Sequence, residues 1–145
     1  MTDPDEERRK RRFPGILGMR VAERRPGYCR VEMDLAERHL RPFVEGVHAG
    51  AVVSLADSAC GIGCQASLQD GKTFVTVELK ANLISSAASG TLVAEATPVH
   101  MGKRTHVWEA RVTRDDGKLI ASFTCTQLIM DGEPRREDGV VRMGP

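Results

Sequence analysis

GAVVSLADSACGIGCQASL, residues 50–68, decides the fold of this chain. The stretch of 19 residues carries one charge, Asp57, and no proline. A helix that is apolar nearly all round belongs in an interior, and small side chains let it pack closely on every side. A membrane span is the competing reading. Ser54, Asp57, Ser58, Gln65 and Ser67 interrupt the stretch, and an ionised carboxylate at midspan is costly in lipid. The pattern from Gly50 to Leu68 therefore predicts a buried helix.

Working outward, the flanks read as strands and turns. Upstream, Arg38 to Gly46 holds Pro42 and Gly46 and reads as a loop. Before it, Val31, Met33 and Leu35 alternate with Arg30, Glu32 and Asp34, the period of a half-buried strand. Phe13 to Met19, with Pro14, Gly15 and Gly18, reads as a short helix or turn. Downstream, Val75, Val77, Leu79, Ala81 and Leu83 alternate with Thr76, Glu78, Lys80 and Asn82. Gly90 to Val99 is a further strand. Trp108, Ala110 and Val112 alternate with Glu109, Arg111 and Thr113. Asp115-Asp116-Gly117 is a turn signal, after which Leu119 to Met130 returns as a long strand. One strand, a buried helix and four strands joined largely by turns give an α+β class, an antiparallel sheet wrapped on one helix.

Composition sets the outer limits. A chain of 145 residues with 41% apolar residues supports one domain with a real core. Lys and Arg total 21 against 20 Asp and Glu, so the net charge of +1 argues against a dedicated nucleic-acid binder. Residues 1–12 place four acids before five consecutive bases, a charged flexible tail or helical extension. Residues 132–145, rich in Gly, Pro and charge, read as a second flexible tail, leaving 13–131 as the folded domain. Cys29, Cys60, Cys64 and Cys125 show no C-x-x-C spacing, and no apolar signal peptide opens the chain. Buried free thiols in a reducing cytosol, hence a cytoplasmic location, are the expectation. Cys60 and Cys64 stand one helical turn apart, but no histidine sits at a partner spacing. No metal site and no cofactor are expected.

The chemistry gathers at the start of the long helix. In Val47-His48-Ala49-Gly50-Ala51-Val52-Val53-Ser54-Leu55-Ala56-Asp57-Ser58-Ala59 a histidine and small residues precede an acid by nine residues. First-turn amides are unpaired donors that attract negative charge, and small residues let a ligand approach them. Asp57, amid Leu55, Ala56, Ala59 and Ile62, must be paired or used. The pattern alone leaves open a structural pair with a neighbouring strand.

VHAGAVVSLADSACG resembles the H-G-G helix of the hotdog-fold acyl-CoA thioesterases, the phenylacetate-pathway and human-type branch. TVELKANL (residues 76–83) with Ser85, Ser86 and Gly90 resembles the family's following strand and turn. VHMGKRT (99–105) resembles its next signature. DGKLIA (116–121) and Thr124-Cys125-Thr126 resemble its closing hairpin. The match runs from about Pro14 to Met130, through motifs in the family's order and spacing.

The resemblance implies a hotdog fold and hydrolysis of acyl-CoA thioesters. Asp57 would be nucleophile or general base. The backbone N–H of Ala49, helped by Gly50, would polarise the thioester oxygen, with His48 orienting the loop or the carbonyl and Thr76 positioning water. Asn82, Gly102, Lys103, Arg104 and Thr105 would bind substrate, the two cations clamping the coenzyme A phosphates. His100 and His106, which flank that turn, are expected at the surface. Sites in this family are shared between subunits, so a homodimer or homotetramer is implied. Two positions depart from the family pattern. Ala49 stands for the second residue of H-G-G, and Pro42 stands six residues before His48, where the family often has Asn or Gln. A non-catalytic acyl-CoA-binding protein is the alternative on the same fold. A dehydratase or hydratase would want a His–Asp pair across the hairpin, and the buried acid lies on the helix.

Overall fold

The computed structural model describes residues 3–133 and Met143. Two short helices, α1 (Pro4–Arg11) and α2 (Phe13–Ile16), precede strands β1 (Met19–Arg25) and β2 (Tyr28–Asp34). A 3-10 turn at Glu37–His39 leads to the long helix α3 (Ala49–Ser67). Then come β3 (Lys72–Leu83), β4 (Thr91–Met101), β5 (Thr105–Arg114) and β6 (Leu119–Asp131). Most of the expected C-terminal tail lies outside the described residues.

The six strands form one antiparallel sheet in the order β1-β2-β4-β5-β6-β3. Helix α3 carries the chain from β2 across to β3 at the far edge. It touches every strand of the sheet. Strands spaced at ~4.8 Å make a sheet ~24 Å wide, and a helix with its side chains is only ~10 Å across. One helix meets six strands only if the sheet curls around it.

The core follows from the composition of α3. Val52, Leu55, Ala56, Ala59, Cys60, Gly63 and Cys64 face the sheet and are buried. Leu92, Trp108, Val112, Ile120 and Phe123 meet them from the strands. Gly63 sets how closely helix and sheet approach: a Cβ there would stand 2.7 Å from the Trp108 ring. The expected free thiols are all buried. Burial pushes the Cys29 thiol up to about 11 and Cys64 to about 12, and Cys60 is also raised, held beside Cys125. Thiols held protonated in this way are inert as nucleophiles.

Three expectations are corrected. The strand β1 was not expected. Its sequence MRVAERR holds three apolar residues, Met19, Val21 and Ala22, on an edge, and a bulge at Ala22 breaks their period. The alternation assigned to β3 does not keep one face. The register slips between Thr76 and Glu78, leaving Val77 as the extra residue. Leu79, Ala81 and Leu83 then pair with the buried Cys125, Phe123 and Ala121, whereas Val77 is 57% exposed. His106, expected at the surface, is buried, with Nδ1 accepting from the Trp108 indole N–H at 3.2 Å. Burial also lowers its pKa, so its neutral form is favoured.

Candidate active site

The loop before α3 is pinned at both ends. His39 is buried, and its Nδ1 accepts from the Ala36 N–H at 3.0 Å. The ring proton is therefore on Nε2, which donates to the Leu17 carbonyl at 2.7 Å. The His48 N–H donates to the His39 carbonyl and the Val47 N–H to the Ala87 carbonyl, both at 2.8 Å. Gly46 makes the turn between them with φ +131°, which a side-chain-bearing residue rarely adopts. These bonds fix where the first turn of α3 begins.

His48 caps that turn. Its Nδ1 accepts from the Gly50 N–H at 2.8 Å, so the imidazole carries its proton on Nε2. The Ala51 N–H is bonded to the His48 carbonyl at 3.0 Å. Ala49 is the first helical residue, and its N–H has no acceptor among the described residues. His48, Ala49 and Gly50 are all exposed. The second oxyanion donor expected at Gly50 is thus committed to the cap, and the helix presents one unused N–H, that of Ala49.

Asp57 is half-buried on the flank of α3 beside β3. The Thr76 hydroxyl donates to its Oδ1 at 3.4 Å. The bulge at Val77 immediately follows Thr76, and a bulge of this kind re-aims the side chain beside it. Burial raises the Asp57 pKa above the ordinary carboxylate value, and the Thr76 hydrogen bond opposes that rise. A carboxylate with a raised pKa beside a hydroxyl is equipped to take a proton from water or to attack a carbonyl.

A cavity of about 850 Å³ opens at Asp57 and runs along this flank toward Leu68. Gly61, Ile62 and Gln65 form its floor, Phe74 its wall on the β3 side, and Arg24 and Arg25 its wall on the β1 side. The Phe74 ring lies close over Gly61, where a Cβ would meet it at 3.0 Å.

The structure brings Asp57 to Thr76, and groups His48, Ala49 and Gly50. It does not bring these two groups together within one chain. Ala49 and Asp57 are eight residues apart on one helix, ~12 Å along its axis. A nucleophile and an oxyanion donor must both reach one carbonyl at ~3 Å. Asn82 is exposed on β3, and Gly102 to Thr105 form the turn between β4 and β5, closed by the Gly102 N–H on the Thr105 carbonyl at 2.9 Å. None of these five residues lines the cavity.

Sequence reasoning missed Gln127. It is fully buried directly across from Thr76 on one side and His106 on the other. Neither its amide nitrogen nor its oxygen has a hydrogen-bond partner among the described residues. Its signal was a polar residue continuing the inward positions Phe123 and Cys125. Among the described residues no cluster of His, Cys, Asp and Glu is placed to hold a metal ion, and no helix is long and apolar enough to cross a membrane.

The fold and these motifs match known proteins. The thioesterase superfamily profile matches residues 46–121. A 1,4-dihydroxy-2-naphthoyl-CoA hydrolase of Listeria monocytogenes is 31% identical over 110 residues, covering 76% of this chain and 89% of that protein. The crystal structure of a Pseudomonas aeruginosa thioesterase variant superposes with a TM-score of 0.81 at 27% identity, covering 90% of this chain and 96% of that one. The Escherichia coli PaaI protein of the phenylacetic acid degradation operon superposes at 0.76 with 25% identity, over 83% and 85% of the two chains. The chain belongs to the thioesterase superfamily, with its hotdog fold, and is an enzyme of the thioester-hydrolase class.

Proposed function

We propose that this enzyme hydrolyses acyl-CoA thioesters with Asp57 as nucleophile or general base. The observation that carries the reading is the half-buried Asp57 carboxylate, bonded to Thr76 and lining a cavity of about 850 Å³. As base, Asp57 takes a proton from water while the oxygen adds to the thioester carbon. As nucleophile, it forms a mixed anhydride that water then cleaves. In either course the carbonyl oxygen gains charge, and the Ala49 N–H stabilises it. Collapse breaks the C–S bond, and coenzyme A leaves as a thiolate that takes up the proton lost by water. The free acid forms in that step when Asp57 is the base, and on hydrolysis of the anhydride when it is the nucleophile. Pro42 offers no side-chain donor to the oxyanion, so that charge rests on the helix start.

The ~12 Å between the two groups within one chain is met by a second subunit, each chain supplying Asp57 to one site and Ala49 to the other. The edge strand β3 supports this assembly. It is 12 residues long, and Val77, Leu79, Leu83 and the following Ile84 are 45–57% exposed. A long apolar edge is a pairing surface. A homodimer or homotetramer built on that edge completes the site. The buried free thiols support a reducing, cytoplasmic setting.

The test is free-thiol release from a panel of aliphatic and aryl coenzyme A esters, with the mass of the protein measured in the same buffer. Turnover by a dimer or tetramer is expected. The absence of thiol release from every ester, with acyl-CoA still bound, would favour the non-catalytic alternative. A monomer that turns over would overturn the shared site.

Lys103 and Arg104 are both exposed on the β4–β5 turn, where they can clamp phosphates remote from the reacting carbon. Replacing both with Ala is expected to raise KM several-fold and leave kcat near wild type. An unchanged KM at low salt would remove the clamp.

A further inference from the structure

One charged side chain, the exposed Arg24, follows apolar inward positions where β1 lies against β2. Residues directly opposite in an antiparallel pair share a face. On β1, Met19 pairs with Met33, Val21 with Val31 and Arg24 with Cys29. Met33, Val31 and Cys29 are all fully buried. The third inward position of β1 is therefore a guanidinium. The bulge at Ala22 puts it there, since unbroken alternation would have turned Glu23 inward.

Arg24 faces the cavity that begins at Asp57. Its level along α3 is set by Cys29, whose Cβ lies 3.3 Å from the position a Cβ on Gly63 would take. Gly63 is six residues beyond Asp57, ~9 Å along the axis. Other cations line the same cavity, among them Arg9, Arg25 and Lys72. Those three have carboxylate partners: Arg9 with Asp3 at 3.9 Å, Arg25 with Glu23 at 3.1 Å and Lys72 with Asp131 at 2.5 Å. Arg24 has none among the described residues. The acids lining the cavity are Asp57 and Asp70.

We propose that Arg24 is a specificity residue, binding a carboxylate at the far end of the acyl group, so that the preferred substrates are thioesters of acids carrying a second, distal carboxylate. The inference rests on the thioesterase reading above. The ~9 Å offset along α3 sets the scale of the acyl group, with Ile62, Leu68 and Phe74 lining the cavity for the hydrocarbon or ring between its two ends. A charge-assisted bond inside a partly enclosed cavity is strong enough to select among acyl groups.

Suberyl-CoA and octanoyl-CoA test this, because they share coenzyme A and chain length and differ in the terminal carboxylate. KM and kcat for each are measured by thiol release on wild type, Arg24→Leu and Arg24→Lys. The wild type is expected to show a KM about tenfold or more lower for the suberyl ester. Arg24→Leu is expected to bring the KM ratio close to one, and Arg24→Lys to keep much of it. On wild type alone the ratio should shrink as salt rises, which needs no variant to fold. Equal KM for the two esters on wild type overturns the proposal. A loss shared by both esters in Arg24→Leu also overturns it, assigning the guanidinium to coenzyme A. So does an unchanged ratio accompanied by aggregation, which would make Arg24 a guard against edge pairing. Hydrolysis of neither ester overturns this inference, and the thioesterase reading falls with it only if the whole panel of aliphatic and aryl esters also fails; equal hydrolysis of both defeats this inference alone.

Discussion

Asp57→Asn is expected to lower turnover by at least ~10²-fold and to raise the melting temperature of the protein. The rate loss follows from removing the anion that takes the proton or attacks the carbon. The amide keeps the side chain's size and can still accept the Thr76 hydroxyl. The gain in stability follows from the sign of the pKa shift. Burial raises the folded-state pKa of Asp57 above its unfolded value. Such a group favours the fold below the unfolded value, and that contribution is lost as pH rises through the folded value. At neutral pH the ionised carboxylate therefore costs stability that the amide does not. The stability difference between variant and wild type should be largest near neutrality and shrink in acid. The same shift shapes the pH–rate profile. Activity needs the ionised form, so the acid limb should fall above the ordinary aspartate value. Thr76→Val removes the hydrogen bond that opposes the shift, and the limb should move to higher pH. Turnover, acyl-CoA affinity and melting temperature on one preparation separate the outcomes. A stable Asp57→Asn variant working at the wild-type rate would end the mechanism. A destabilised one with wild-type turnover would make Asp57 a structural carboxylate.

Sequence reading reaches α3 because its information is local. A 19-residue helix with one charge has no stable place outside a core, and a sheet is what remains to cover it. The strands β2, β4, β5 and β6 are legible for a similar reason, each repeating apolar residues at the period of its pleat. Strand β1 escapes that rule. It is an edge, so only part of one face needs apolar residues, and its bulge converts a period of two into a sequence that looks like charged loop. The bulge in β3 hides more. It lets Thr76 face Asp57 although Val75 and Val77 carry the visible alternation, and a one-residue slip reverses the faces beyond it. His106 and Gln127 were misplaced or missed because their burial is set by β5 lying beside β6, a pairing distant from either residue's neighbours in sequence. The candidate site divides the same way. His48, Ala49 and Asp57 fall within one short segment and are readable as a motif. The cavity joins α3 to β1 and β3, the two opposite edges of the sheet, and no local pattern announces it.

Ala49→Pro is expected to cut kcat by about 10²–10³-fold while leaving the fold intact. The substitution deletes one hydrogen-bond donor and little else. Ala49 is the first residue of α3, the position in a helix where proline is best tolerated, since the N–H there has no partner within the helix. Its N–H has no acceptor among the described residues, so no structural bond is lost. His48, immediately before it, has φ −66° and ψ 135°, the extended conformation that a following proline requires. The backbone is thus already shaped for proline. What disappears is the donor to the developing oxyanion, and no neighbour replaces it. The Gly50 N–H stays bonded to His48 Nδ1 at 2.8 Å, and the Ala51 N–H stays bonded to the His48 carbonyl. A transition-state donor should lower kcat and kcat/KM together, with acyl-CoA affinity little changed. Ala49→Gly is the control, because it changes the side chain and keeps the N–H, and it should retain most of the rate. If both variants lose activity equally, the shape of the helix start matters rather than its donor. If a folded, assembled Ala49→Pro enzyme turns over at the wild-type rate, the oxyanion is held elsewhere. The first group to test would then be the His48 Nε2–H, whose proton the Gly50 bond to Nδ1 already places on the outer side of the ring.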